Sequence, residues 1–283
     1  MADPAGPGGV VNPAGKAGYE LVFAEGFASG VLDARRWVAH YLPQWTTPDR
    51  SAARFDLQPG WLRLRIDADQ PAWLADGDRL RVSNIQTGSF SGPLGSPRGQ
   101  HRHRLDLTVV SPQPTRRLFT PSEGLVEARL RASADPTCML AVWLVGFEED
   151  SPDQSGEICI AELYGQRIGA TGSAVRLGIK AHHDPRLRED MADVHLALDA
   201  TDWHTYAAAW DAQQTRFYVD DQLIRTVPQG LDYPLQLMID LFEFPPDEAR
   251  DPSAYPKIGD VGPVRGYRSA GDRRALTRGD EVS

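Results

Sequence analysis

Short apolar runs separated by turn residues, with no sustained helical repeat, restrict this chain to an all-β fold. The runs cover residues 19–23, 60–66, 124–131, 138–145, 175–180, 204–210, 215–219 and 235–241. Residues 60–66 alternate apolar and basic side chains, the period of two expected where one sheet face meets solvent. Residues 138–145 are almost wholly apolar, as a strand covered on both faces should be. Asp220, Asp221 and Gln222 fall between two apolar pairs, Tyr218-Val219 and Leu223-Ile224, which signals a hairpin. Many short strands at this spacing, without internal repeats, imply a two-sheet β-sandwich.

The 283 residues suffice for one large all-β domain, and 41% hydrophobic residues can fill its core. Residues 1–18, rich in Gly, Pro and Ala, read as a flexible N-terminal segment; 19–268 read as the domain and 269–283 as a polar tail. A net charge of -9 argues against a nucleic-acid partner and suits a neutral polymer. No apolar stretch reaches 18 residues, so no membrane-spanning helix and no membrane partner are expected. The first twenty residues hold no basic segment followed by an apolar run. That reads as a cytoplasmic protein, or as an extracellular one whose leader has been removed. The two cysteines, Cys138 and Cys159, are expected to remain thiols, because a disulfide would need their strands in one specific register.

One stretch carries chemistry. Residues 155–165 read as a buried strand between glycines, yet Glu157 and Glu162 lie within it. Burying unpartnered carboxylates costs on the order of several kcal/mol, so the acids need a reason to be there. In a flat strand, residues five apart face opposite ways. One extra residue, a β-bulge near Ile160-Ala161, brings Glu157, Cys159 and Glu162 to one face with the acids' Cα atoms roughly 13 Å apart. Glutamate side chains leaning together could then approach the about 5–5.5 Å separation of retaining glycoside hydrolysis. The competing reading makes Glu157 a strand-end surface acid and pairs Glu162 with a lysine or arginine.

Glu157-Ile-Cys-Ile-Ala-Glu162 resembles the E-x-D-x-x-E signature of glycoside hydrolase family 16, the laminarinase and lichenase family, with cysteine replacing aspartate. Other segments are similar to that family in family order. They are Tyr19 to Phe27 with Leu32, Asp33 and Trp37; Gly124 to Arg131; Trp203 to Tyr206 with Trp210; and Phe217 to Gln222. The ordered matches span residues 19–268. The resemblance implies a jelly roll of two curved antiparallel sheets, with a concave substrate cleft open enough to take a polysaccharide in mid-chain.

It further implies a retaining, endo-acting hydrolase of a β-glucan, with Glu157 as nucleophile and Glu162 as general acid/base. The six-residue motif is more similar to laminarinases, cutting β-1,3 links, than to lichenases. Cys159 stands where the family aspartate supports the nucleophile, and a thiol donates only weakly. A non-catalytic, lectin-like carbohydrate-binding protein and a transglycosylase remain alternatives. The partner expected is a polysaccharide or oligosaccharide, bound by a monomer. No cofactor is required; the family fold often carries a structural calcium ion, whose ligands have no assignment here.

For substrate binding, Trp143 matches a family tryptophan on the preceding strand, with plain core packing as its alternative. His182 follows residues 175–180 where the family places a cleft histidine; a solvated turn is its alternative. Tyr41, Trp45 and Trp73 lie in loop-like stretches and are expected to expose stacking faces to sugar. His101 and His103 have metal-like spacing but no further ligand pair, so they read as a surface cluster and no metal site is expected. Residues 148–155 lack the Trp-Pro pair found in many family members, and 84–98 read as an unfamiliar insertion able to wall the cleft.

Overall fold

Strand periodicity becomes two antiparallel sheets in the computed structural model, which describes residues 16–77, 79–245 and 250–270. In chain order the strands are β1 (Tyr19–Glu25), β2 (Arg54–Gln58), β3 (Trp61–Ile66), β4 (Arg81–Gln86), β5 (Gly88–Ser89) and β6 (Arg116–Arg117). There follow β7 (Gly124–Arg131), β8 (Cys138–Gly146), β9 (Glu157–Tyr164), β10 (Ile168–Gly169), β11 (Gly172–Lys180) and β12 (Asp190–Leu196). The last are β13 (His204–Trp210), β14 (Thr215–Val219), β15 (Gln222–Val227), β16 (Leu235–Glu243) and β17 (Lys257–Ser269). One sheet runs β15-β14-β13-β7-β17-β3-β2, with β1 on β17; the other runs β10-β11-β9-β8-β16-β4, with β12 on β11. This is the two-sheet sandwich that the strand pattern implied, in the jelly-roll form that the resemblance implied. Among the described residues, no helix is long and apolar enough to cross a membrane.

The sheets are held by the apolar half of each strand. From β9, Ile158, Ile160, Ala161 and Leu163 point between the sheets, against side chains such as Tyr206, Phe217 and Leu64. Full burial of one such side chain stabilises by about 1.5–3 kcal/mol, so this row alone commits β9 to its register. A second apolar cluster lies on the other side of the same sheet. There, loops bring Tyr41, Leu42, Trp45, Trp73, Leu107 and Val109 onto Met139, Trp143, Met238 and Phe242. The loops thereby build a wall above β8 and β16.

β9 carries the bulge inferred from its sequence. Val142 of β8 faces Ala161, but the next residue, Trp143, faces Cys159, leaving Ile160 as the extra residue. The pairing with β11 shifts at the same level, between Arg176 and Gly178. Gly178, opposite Cys159, has φ +143°, and a Cβ there would meet the Asp190 carbonyl oxygen at 2.0 Å. Backbone at that φ is closed to side-chain-bearing residues, and the obstacle is main chain that cannot turn aside. Gly178→Ala should therefore lower stability by at least about 1–3 kcal/mol, read as a shifted denaturant midpoint.

Elements missing from the sequence reading have physical explanations. β17 is 13 residues long, yet Gly259, Gly262, Pro263 and Gly266 break its pattern, and its register slips between Val261 and Val264. The supposed insertion at 84–98 begins inside β4, where Asn84, Ile85 and Gln86 pair with β16. The N-terminal segment expected to be flexible lies, for 1–15, outside the described residues. Its Lys16 is held by Glu127 at 2.8 Å and Asp221 at 2.7 Å. Of the polar tail, Ser269 pairs with Tyr19 and Ala270 donates to the Gly18 carbonyl; 271–283 lie outside the described residues.

Candidate active site

On β9 the residues not turned inward are Glu157, Cys159, Glu162 and Tyr164. The bulge puts the first three side chains together: one carboxylate oxygen of each acid and the Cys159 sulfur lie within 4.8 Å of one another. Glu157 is 3% and Glu162 5% exposed, so Glu157 is not a surface acid. They line a cavity of about 240 Å³ with Tyr41, His101, Trp143, Lys180 and His182.

Two carboxylates this close repel each other, and Lys180 relieves the conflict. It ends β11 directly opposite Glu157, and its Nζ donates to Glu162 Oε1 at 2.7 Å and to Glu157 Oε1 at 3.1 Å. Pairing of Glu162 with a lysine thus coexists with a shared acid face, although the sequence posed them as alternatives. Glu157 has two further donors. Cys159 Sγ lies 2.6 Å from Oε1, and His182 Nε2 lies 2.7 Å from Oε2. Burial acts to raise the Glu157 carboxyl, but the Lys180 charge and the His182 hydrogen bond outweigh it and hold the group well below the usual range. Burial acts to lower Lys180, and the surrounding Glu157 and Glu162 carboxylates hold its ammonium in place instead. Burial and the Glu157 charge push the Cys159 thiol well above its ordinary value, so it stays protonated and can donate. Both cysteines are free and buried.

Glu162 is held differently. Its Oε1 accepts from Lys180, with the Cys159 sulfur 3.6 Å away, whereas Oε2 has no hydrogen-bond partner among the described residues. Arg176 Nε lies 3.6 Å from that oxygen. One acid is clamped on both oxygens and the other is clamped on one.

The remaining expected residues divide. Trp143 lines the cavity, its Nε1 donating to Asp240 Oδ2 at 2.5 Å. Tyr41 lines it too, edge-on to Phe242 at 5.5 Å between ring centroids. His182 lies on the cavity wall, with its Nε2 engaged by Glu157. Trp45 and Trp73 correct the expectation of exposed stacking faces, being only 2% and 1% exposed. Their indole N–H groups donate to the Gln100 and Tyr41 carbonyls, and their rings fill the wall behind the cavity. Loop sequence gives no measure of loop thickness, and these loops are thick enough to own a core. The aromatic faces at the cavity belong instead to Tyr164, Phe242 and Phe244, where Phe244 stacks on both others at about 6 Å.

Three residues had escaped notice, and a fourth, His101, had been placed on the surface. Lys180 read as an ordinary strand end, and only its pairing opposite Glu157 gives it meaning. Asp240 is a carboxyl inside the apolar run of β16, a visible anomaly. It accepts from Trp143 and Asn84, and burial raises it well above the ordinary carboxylate value. His101, expected in a surface cluster, enters the cleft. Its ring meets His182 edge-on at 4.8 Å and Trp143 at 5.3 Å, and burial, aided by the His182 charge, holds it down to about 3. Glu148 accepts from the His101 backbone N–H at 2.6 Å, and burial pushes it up to about 8. It lines a neighbouring cavity of about 330 Å³ with Arg98, Arg102, Asp153 and His183.

The sequence pattern of glycosyl hydrolases family 16 matches residues 118–242, which include β9 and both acids. That stretch of the chain carries the family 16 pattern. The fold of the chain is similar to that of the GlcNAcα1-4Gal-releasing endo-β-galactosidase from Clostridium perfringens, at 24% identity and a TM-score of 0.79. That likeness covers 93% of this chain, which spans only 66% of the galactosidase. The fold is also similar to that of a non-specific endo-β-1,3(4)-glucanase of family 16, at 18% identity and TM-score 0.63, covering 90% and 92% of the two chains. A third likeness is to the laminarinase from Rhodothermus marinus, at 19% identity and TM-score 0.61, covering 88% and 97%. No curated protein matches in sequence.

Proposed function

We propose that the domain is a retaining glycoside hydrolase that cuts a β-linked polysaccharide within its chain. The observation that carries this is the approach of the two glutamates, with carboxylate oxygens within 4.8 Å. Retaining enzymes hold their acids about 5–5.5 Å apart, whereas inverting ones need about 6.5–9.5 Å to admit a water between them.

The unequal clamping supports a division of roles. A nucleophile must be ionised and aimed, and Glu157 has Lys180, Cys159 and His182 on its two oxygens. A general acid/base needs an oxygen not committed to a hydrogen bond, and Glu162 Oε2 is the less committed one; it is buried and must turn towards the cavity to meet the leaving group. Glu157 attacks the anomeric carbon while Glu162 protonates the departing oxygen. Water then gives a proton to Glu162 and displaces Glu157 from the sugar. Trp143, Tyr41, Tyr164 and Phe244 offer apolar faces to sugar rings along the cavity.

The substrate reading that follows from the six-residue motif is a laminarin-like β-1,3-glucan. A β-galactoside is the second reading, favoured by the larger TM-score with the endo-β-galactosidase, 0.79 against 0.63. Incubation with laminarin, lichenan, agarose, xyloglucan and galactose-containing oligosaccharides, followed by reducing-end assay and proton NMR of the first anomer released, separates these. Release with inversion, or no release from any of them, sinks the proposal. Within it, Cys159→Ala should lower kcat/KM by about tenfold, one hydrogen bond's worth, and Cys159→Ser should recover most of that loss.

A further inference from the structure

The geometry points to a binding site for a divalent transition-metal ion, zinc being the best match, formed by His101, His182 and Glu157 at the mouth of the cavity. One imidazole nitrogen of each histidine and one carboxylate oxygen lie within 4.8 Å of one another. Two imidazoles and a carboxylate form a three-ligand zinc set that leaves a fourth position for water. Ligands at about 2.0–2.1 Å in a tetrahedron stand about 3.3 Å apart. His182 Nε2 and Glu157 Oε2 are already at 2.7 Å, so admitting the ion needs only a small opening of that pair.

Three independent features prepare the site. His101 and His182 both hold left-handed backbones, φ +49° and +46°, a strain that persists only where the surroundings fix it. The Glu148 carboxyl anchors the His101 backbone, and the edge-on contact of the two rings keeps their nitrogens near a common point. Lys180 bridges Oε1 of both acids and Arg176 lies 3.6 Å from Glu162 Oε2, whereas Glu157 Oε2 meets an imidazole rather than a lysine or arginine and so can turn to a metal ion. Lys180 holds the other Glu157 oxygen and need not leave.

A metal here would claim the oxygen of Glu157 that faces His182, and on the hydrolase reading it would silence the enzyme reversibly. Titration calorimetry of the intact protein with zinc sulfate should show one ion per chain. Cobalt(II) in the same place should give the intense visible absorption of a four-coordinate ion. His101→Asn and His182→Asn, which suit the left-handed backbone, should each weaken binding by at least about tenfold. Their metal-free melting curves check folding, and His103→Asn, outside the ligand set, should bind as the parent does. Binding that survives both substitutions, binding lost only in Cys159→Ser, or no binding at all overturns the proposal. In a protein active on glycan, inhibition should track zinc occupancy, and occupancy without inhibition would remove Glu157 from the ligand set. Zinc binding by a protein inactive on every glycan would support the metal site while sinking the hydrolase reading.

Discussion

Glu157→Gln should abolish hydrolysis, lowering kcat by on the order of 10⁴-fold, while leaving the fold and glycan binding in place. The amide keeps the shape of the side chain but cannot form the glycosyl-enzyme, so no turnover route through β9 remains. Glu162→Gln should show a different pattern, which makes the pair decisive. Without its acid, the enzyme should fail on natural glycans by about 10²–10⁴-fold. It should still form the covalent intermediate from an aryl glycoside, whose leaving group departs unprotonated. A burst of released phenol from Glu162→Gln and none from Glu157→Gln is the expected result. The reverse would exchange the roles, and full activity in either variant would move the chemistry elsewhere.

Lys180→Met should be the most destabilising single change at the site. Its ammonium is the cation common to two acids that are 4% and 7% exposed in their side chains, and removing it leaves Glu162 with Arg176 at 3.6 Å and Glu157 with only the Cys159 and His182 hydrogen bonds. Breaking a buried pair from one side costs about 3–5 kcal/mol. The effect should depend on pH with a defined sign. In the parent protein, Glu157 is held below its ordinary value of 4.5. Its contribution to stability is thus present above pH 4.5 and is lost as pH falls through the lower folded value. In the variant, burial is no longer offset by the nearest ammonium, so ionising Glu157 becomes a cost that acid relieves. The stability gap between parent and variant should narrow from pH 7 towards pH 4 in urea titrations. A gap that does not change with pH would assign the loss to packing of the lysine stem.

Much of the architecture was legible because strand periodicity is local. Residues 124–131, 204–210 and 215–219 are strands with the bounds their sequence suggested, and the Asp220-Asp221 turn takes the positive φ values of a tight hairpin. The bulge was legible for another reason. Two acids five apart in one buried strand can share a face only if a residue is added between them, and that residue is Ile160. What stayed hidden depends on contacts distant in the chain. Lys180 gains its role from lying across a sheet from Glu157, and His101 from a loop folding back over β8 and β9. Trp45 and Trp73 misled because an indole in a polar-looking loop gives no sign of the second apolar cluster beneath it.

The surplus residue at Ile160 makes the strand's arithmetic forgiving in one direction only. With that position excised, Glu157, Cys159 and Glu162 would become first, third and fifth along an unbroken ribbon, still odd-numbered and still looking the same way. A residue added to that unbroken ribbon without a kink would change odd to even and turn Glu162 to the opposite side. Shortening here is therefore a parity-preserving edit, and the loss falls on the interior, where Ile160 and Ala161 now sit side by side.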